Sequence, residues 1–183
     1  REAQQAAHRI AAMAPQPVSR GLRLAPTRKA KPLKFAQWNM SRLSKSQIQI
    51  VAAMEIDAVG FTEVWSSADS LQDYMGTNRM LVAGSPPKHD PAGSTAMLLS
   101  AKMARALQTW GLVPGAGKRA LYAQWISDDQ RPLQFIVAYM PTDYKEKPTQ
   151  QEIHAAIMKH IVGLKPIIRV LLMGDFNAQP SRD

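Results

Sequence analysis

From Leu33 onward the chain alternates short apolar runs with polar punctuation, and the spacing predicts strands more often than helices. Leu33–Asn39 reads as a strand. Ser44 and Ser46 stand where they can cap a helix that carries Ile48, Val51 and Ala52 on one face. Asp57–Thr62 is a short apolar strand ending at Glu63, and Ser66–Gly76 has the pattern of a short helix closed by glycine. Arg79–Ala83 and a Pro/Gly loop over 84–93 precede Ser94–Ser100, which reads as a strand. Ala104–Trp110, Ala120–Ser127 and Leu133–Tyr139 follow as further strands, with turns at Pro114-Gly115 and Asp128-Asp129. The clearest helix is 149–162: Pro148 precedes it, Thr149 and Glu152 form a capping box, and Ile153, Ala156, Ile157, Ile161 and Leu164 keep the helical period. Gly163 and Pro166 end it. Ile167–Met173 is almost continuously apolar, the texture of a strand covered on both faces. Strands in runs with helices between some of them make a layered α/β sandwich.

Four segments end an apolar stretch with side chains suited to a hard cation and a phosphate. They are Gln37-Trp38-Asn39-Met40, Asp57 through Glu63, Ala138-Tyr139-Met140-Pro141 and Gly174-Asp175-Phe176-Asn177. Magnesium takes oxygen ligands, commonly one or two carboxylates completed by water and substrate phosphate. Glu63 is the carboxylate best placed for it. Asp175 and Asn177 are two residues apart, so their side chains share a direction if the chain stays extended. Each residue also has an ordinary reading: Glu63 as a charge leaving a sheet, Gly174-Asp175 as a turn, Asn39 as a strand terminus, Tyr139 as a core tyrosine. Trp38 is taken as core. Gly115-Ala116-Gly117-Lys118-Arg119 is no P-loop, because the spacing from Gly111 is wrong and no Ser or Thr follows Lys118.

In order, spacing and strand context these four segments resemble the endonuclease/exonuclease/phosphatase superfamily, over roughly residues 33–180. The likeness is greatest to the apurinic/apyrimidinic endonuclease branch and to the endonuclease domains of non-LTR retrotransposons; Gly93–Ser100 shares it. The resemblance implies a four-layer α/β sandwich, two packed β-sheets flanked by helices. It implies Glu63 as principal ligand of magnesium (Mg2+, with manganese as an alternative), assisted by Asn39. It further implies Asp175 as the residue that orients and deprotonates the attacking water and Asn39 as the group that holds Asp175 or the metal-bound water. By the same likeness Asn177 bonds the phosphate or the nucleophile, Tyr139 meets the scissile phosphate, and Gly174 lets the backbone approach substrate. The chain departs from the pattern at Thr142, where the family has asparagine, and at Ser41, where it has an acidic residue. The family's closing Ser-Asp-His is absent, so the final strand is expected to be missing, with a partner or a C-terminal extension covering the sheet edge. His154 and His160 lie on different faces of their helix and form no metal pair.

Charge adds a second theme. The chain has no cysteine, which excludes thiolate chemistry, and no apolar run of membrane-spanning length. Of its net charge of +9, the segment 1–34 holds eight basic side chains against Glu2 alone, and the rest is nearly balanced. The Pro- and Ala-rich residues 1–32 therefore form a basic leader, with a helical turn near Gln4–Met13, ahead of a domain at 33–183. Such a leader attracts nucleic-acid phosphate, or serves as a linker or a mitochondrial targeting segment. The expected function is a magnesium-dependent DNA endonuclease of the apurinic/apyrimidinic type from a retrotransposon, nuclear, acting on abasic or target-site duplex. A catalytically inactive nucleic-acid-binding scaffold and a phosphatase of the same superfamily are the competing readings.

Overall fold

In the computed structural model, which describes residues 31–40, 44–64, 78–83, 94–127, 130–141 and 147–177 (147–149 by backbone alone), the strands form two sheets of four. The first contains β1 (Phe35–Asn39), β2 (Ala58–Val64), β3 (Arg79–Val82) and β4 (Ser94–Leu99) in the order β1-β2-β4-β3. The second runs β5 (Leu107–Leu112), β6 (Ala120–Ile126), β7 (Pro132–Tyr139), β8 (Arg169–Asp175) in sequence order. Each sheet has one parallel pair, β1 with β2 and β7 with β8; the remaining pairings are antiparallel. All these residues belong to one compact unit, Lys31–Asp183. Residues 1–30 of the leader, the helical readings at Gln4–Met13 and Ser66–Gly76, the loop at 84–93, Asp128-Asp129, Ser41 and Thr142 lie outside the described residues.

Helix α1 (Lys45–Ala53) begins as its sequence dictates. The Ser44 hydroxyl accepts from the Gln47 N–H, and the Gln47 side chain accepts from the Ser44 N–H. Ile48 and Val51 then bury against Val59, Phe61 and Leu98 on the outer face of the first sheet. Each such side chain contributes roughly 1.5–3 kcal/mol by leaving water. Helix α3 (Lys147–Val162) covers the second sheet in the same way, Ile153 and Ile157 packing on Ile136 and Ala138. Between the sheets lie Met97, Leu99, Trp125, Phe135 and Val137. Gly60 sits at that junction, where a Cβ would come within 2.3 Å of Val137. The result is the expected four-layer α/β sandwich.

Several boundaries differ from the sequence reading, three of them with a clear local cause. Ala104–Trp110 is not one strand: helix α2 (Ala101–Ala106) takes its first residues, capped by Ser100, whose hydroxyl accepts from Met103 N–H. Alanine, lysine, methionine and arginine are strong helix formers, and the buried Trp125 indole donates to the Met103 carbonyl at 2.9 Å. Helix α3 starts at Lys147 and takes Pro148 into its first turn, where a missing N–H matters least. Strand β8 starts at Arg169, after a turn in which Ile168 N–H bonds the Lys165 carbonyl. Its apolar run does have neighbours on both faces, Leu171 and Met173 between the sheets and Val170 and Leu172 beside α3. Yet among the described residues β8 pairs with β7 alone and stays half-buried, as an edge strand.

Candidate active site at the ends of two parallel strand pairs

Both parallel pairs deliver their C-terminal ends to one rim. In β1 and β2, Asn39 lies opposite Thr62; in β7 and β8, Tyr139 lies opposite Asp175. Alternation decides which side chains reach the rim. Asn39 shares a face with Phe35, and Tyr139 and Asp175 share faces with Phe135, Val137, Leu171 and Met173, all packed between the sheets.

Glu63 breaks that alternation. Counting from Val59 and Phe61, which face α1, Glu63 would point away from the site. The register instead shifts between Phe61 and Val64, and Glu63 takes φ 59°, a left-handed conformation rare for a residue with a Cβ. The bulge turns its carboxylate inward. Ser94 secures the far side, its hydroxyl donating to the Val64 carbonyl at 3.0 Å.

One amide then joins the two sheets. Asn39 Nδ2 donates to Glu63 Oε1 at 3.2 Å and to Asp175 Oδ2 at 2.6 Å. Those two oxygens are thus no farther apart than both bonds end to end, within reach of one hydrated ion. The other Asp175 oxygen, Oδ1, accepts from the Asn177 backbone N–H at 3.1 Å, so the carboxylate plane is held from both sides. Gly174, just before it, faces the β7 backbone so closely that a Cβ would lie 2.0 Å from the Ala138 carbonyl oxygen. Its need for glycine comes from this strand–strand approach.

Asn177 differs from expectation in direction. The chain does not stay extended past β8: Asn177 has φ 43°, and its side-chain amide donates to the Met140 carbonyl. It reaches the rim as the end of a turn that clamps Asp175. Trp38 is a correction. It is 43% exposed, because among the described residues β1 is an edge strand whose outer face, shared with Ala36, is only partly covered. His154 is exposed on α3, whereas half-buried His160 bonds Gln134 across the second sheet, so neither approaches the rim residues through any described contact.

Sequence reasoning missed Arg119. It ends a 3-10 turn (Gly117–Arg119), and its guanidinium carbon lies 5.3 Å from the Tyr139 ring centre. The signal was present in Gly115-x-Gly117, which was weighed only as a phosphate loop.

Among the described residues no three of His, Cys, Asp and Glu gather as a metal cluster. Two carboxylates sharing an amide suit magnesium, which needs few protein ligands and keeps its waters.

No family profile and no curated protein matches the sequence. Solved structures do match in shape. D. rerio TDP2 complexed with a single-strand DNA product aligns with a TM-score of 0.61 at 12% identity, covering 81% of this chain and 62% of that one. The human Nocturnin catalytic domain with bound sulfate gives 0.60 at 16%, covering 82% and 65%. An endonuclease/exonuclease/phosphatase family protein from Bacteroides thetaiotaomicron gives 0.54 at 13%, covering 82% and 65%. This chain has the endonuclease/exonuclease/phosphatase fold. It spans less than two thirds of the length of each of those three structures.

Proposed function

We propose that this endonuclease/exonuclease/phosphatase-fold chain is a magnesium-dependent phosphodiester hydrolase acting on DNA, of the apurinic/apyrimidinic type that retrotransposons encode. The observation that carries the reading is the Asn39 amide bridging Glu63 and Asp175, carboxylates of different sheets that meet at this rim. The DNA product bound by the TDP2 neighbour and the basic leader support nucleic acid as substrate.

Glu63, with Asn39 beside it, would hold the metal, which when bound supplies positive charge to the phosphate oxygens. The rest falls to the chain's own groups. Asp175, its plane set by Asn39 and by the Asn177 N–H, holds a water and takes its proton as the water oxygen attacks phosphorus. The bond to the 3′-oxygen breaks, and that oxygen leaves as a hydroxyl after taking a proton from solvent. Tyr139, beside Asp175 in register, meets the phosphate with its phenol. Asn177, whose amide nitrogen already bonds Met140, keeps its second N–H for a phosphate oxygen.

The full chain is to be assayed on a duplex with one abasic site. Glu63→Gln should lose most activity and need far more magnesium, and Asp175→Asn should lower kcat by about a hundredfold or more with DNA binding intact. Wild-type kinetics in Glu63→Gln at limiting magnesium would exclude it as ligand. A wild-type chain that binds the duplex but never nicks it, with magnesium or manganese, would instead establish the scaffold reading; release of phosphate alone would establish the phosphatase.

A further inference from the structure

The connection between β5 and β6 brings to the rim a cation that the reaction above does not use. Gly115 and Gly117 take φ +86° and +54°, which lets the chain reverse within a few residues. The Ala116 N–H bonds the Val113 carbonyl, the Arg119 N–H bonds the Ala116 carbonyl, and the Val113 N–H closes on Ala120. The turn is also held from the opposite sheet, where the β4 Thr95 hydroxyl donates to the Lys118 carbonyl at 3.1 Å. What this anchored turn presents is the half-buried Arg119, its guanidinium carbon 5.3 Å from the ring centre of Tyr139, which is itself buried beside Asp175.

A cation within about 6 Å of an aromatic face is drawn to it, more strongly where water is excluded. Arginine suits this place better than lysine, since its planar group can lie along the ring. A phenol ring has one soft torsion that swings its plane, and a guanidinium on one face removes that freedom. The positive charge also strengthens the adjacent hydroxyl as a donor to an oxygen gaining negative charge.

We propose that Arg119 is a positioning residue for Tyr139, setting the ring plane and the donor strength of its hydroxyl toward the phosphate. This rests on the hydrolase reading above, so its test has an arm that does not need turnover.

The kinetic arm compares wild type with Arg119→Met, Arg119→Lys, Tyr139→Phe and the double variant Arg119→Met/Tyr139→Phe on the abasic duplex. Arg119→Met should lower kcat about tenfold with KM held within about twofold, and Arg119→Lys, which keeps the charge but not the planar group, should recover part of the loss. The double variant should be no slower than Tyr139→Phe by more than about twofold, because without the hydroxyl there is nothing left to position. Losses that multiply, an effect confined to KM, or a lysine variant no better than methionine would each overturn the proposal. The second arm labels the chain with 3-fluorotyrosine, the Tyr139 fluorine line being assigned by its loss in Tyr139→Phe. That line should move in Arg119→Met and return toward its wild-type place in Arg119→Lys. An unmoved line overturns the positioning role even in a chain that cuts DNA. A moved line in a chain that never cuts DNA defeats the hydrolase reading and leaves the contact standing.

Discussion

Glu63 holds a backbone conformation that side chains with a Cβ avoid, at a cost of about 1–2 kcal/mol. Inside a strand, glycine is ordinarily worse than alanine by about 0.5–1 kcal/mol. At this bulge the order should reverse, Glu63→Gly unfolding at higher urea than Glu63→Ala by roughly 1 kcal/mol while both lose activity. Equal midpoints would mean that the left-handed conformation stores no strain. Asn39, Glu63, Tyr139 and Asp175 were legible in the sequence because each closes an apolar run, and strand ends are where a sheet can expose polar groups. The bulge was not legible, since one added residue leaves no mark on composition and simple alternation turns Glu63 toward α1. The turn at Asn177 escaped for a related reason: asparagine tolerates left-handed backbone without announcing it.

Between elements, a polar contact also lies where α3 crosses the second sheet. His160 Nε2 donates to Gln134 Oε1 at 2.9 Å, the Gln134 amide donates to Gln124, and the His160 ring lies 5.0 Å from that of Tyr122. Burial lowers the histidine pKa from its usual 6.5. The unfolded chain therefore takes up the proton first, and the stability His160 contributes is fully present above about pH 6.5 and is lost as pH falls toward the folded value. Urea unfolding at about pH 7.5 and about pH 5 should show wild type losing more than His160→Gln. A loss of equal size in both would remove His160 as the cause. The period of α3 made this helix readable from sequence, but its bond to Gln134 was not, because a glutamine in a strand gives no hint of which helix residue will cross it. Helix α2 was misread because Trp110 and its neighbours look strand-like, whereas the Ser100 cap and the Trp125–Met103 bond decide the first six residues.

At the scale of the whole molecule the charge is divided sharply, with eight basic groups against one acidic group in 1–34. Each DNA phosphate neutralised changes the slope of log affinity against log salt by about 0.9. Deleting residues 1–32 should flatten that slope and weaken binding while leaving kcat unchanged; an unaltered slope would make the leader a linker. The layered architecture was readable because runs of strands with interposed helices admit few arrangements. The pairing of one sheet against the other was not, since it depends on contacts such as Asn39 with Asp175, which are 136 residues apart. The first sheet is built wholly from residues 35–99 and the second wholly from 107–175, so each half of the chain folds its own layer and owns part of the rim. On the proposed hydrolase reading, the chain therefore lends itself to being split between its two sheets. Two fragments divided near residue 100 should each be inert, and hydrolysis should return only when they find each other, which turns nicking of DNA into a report on their association.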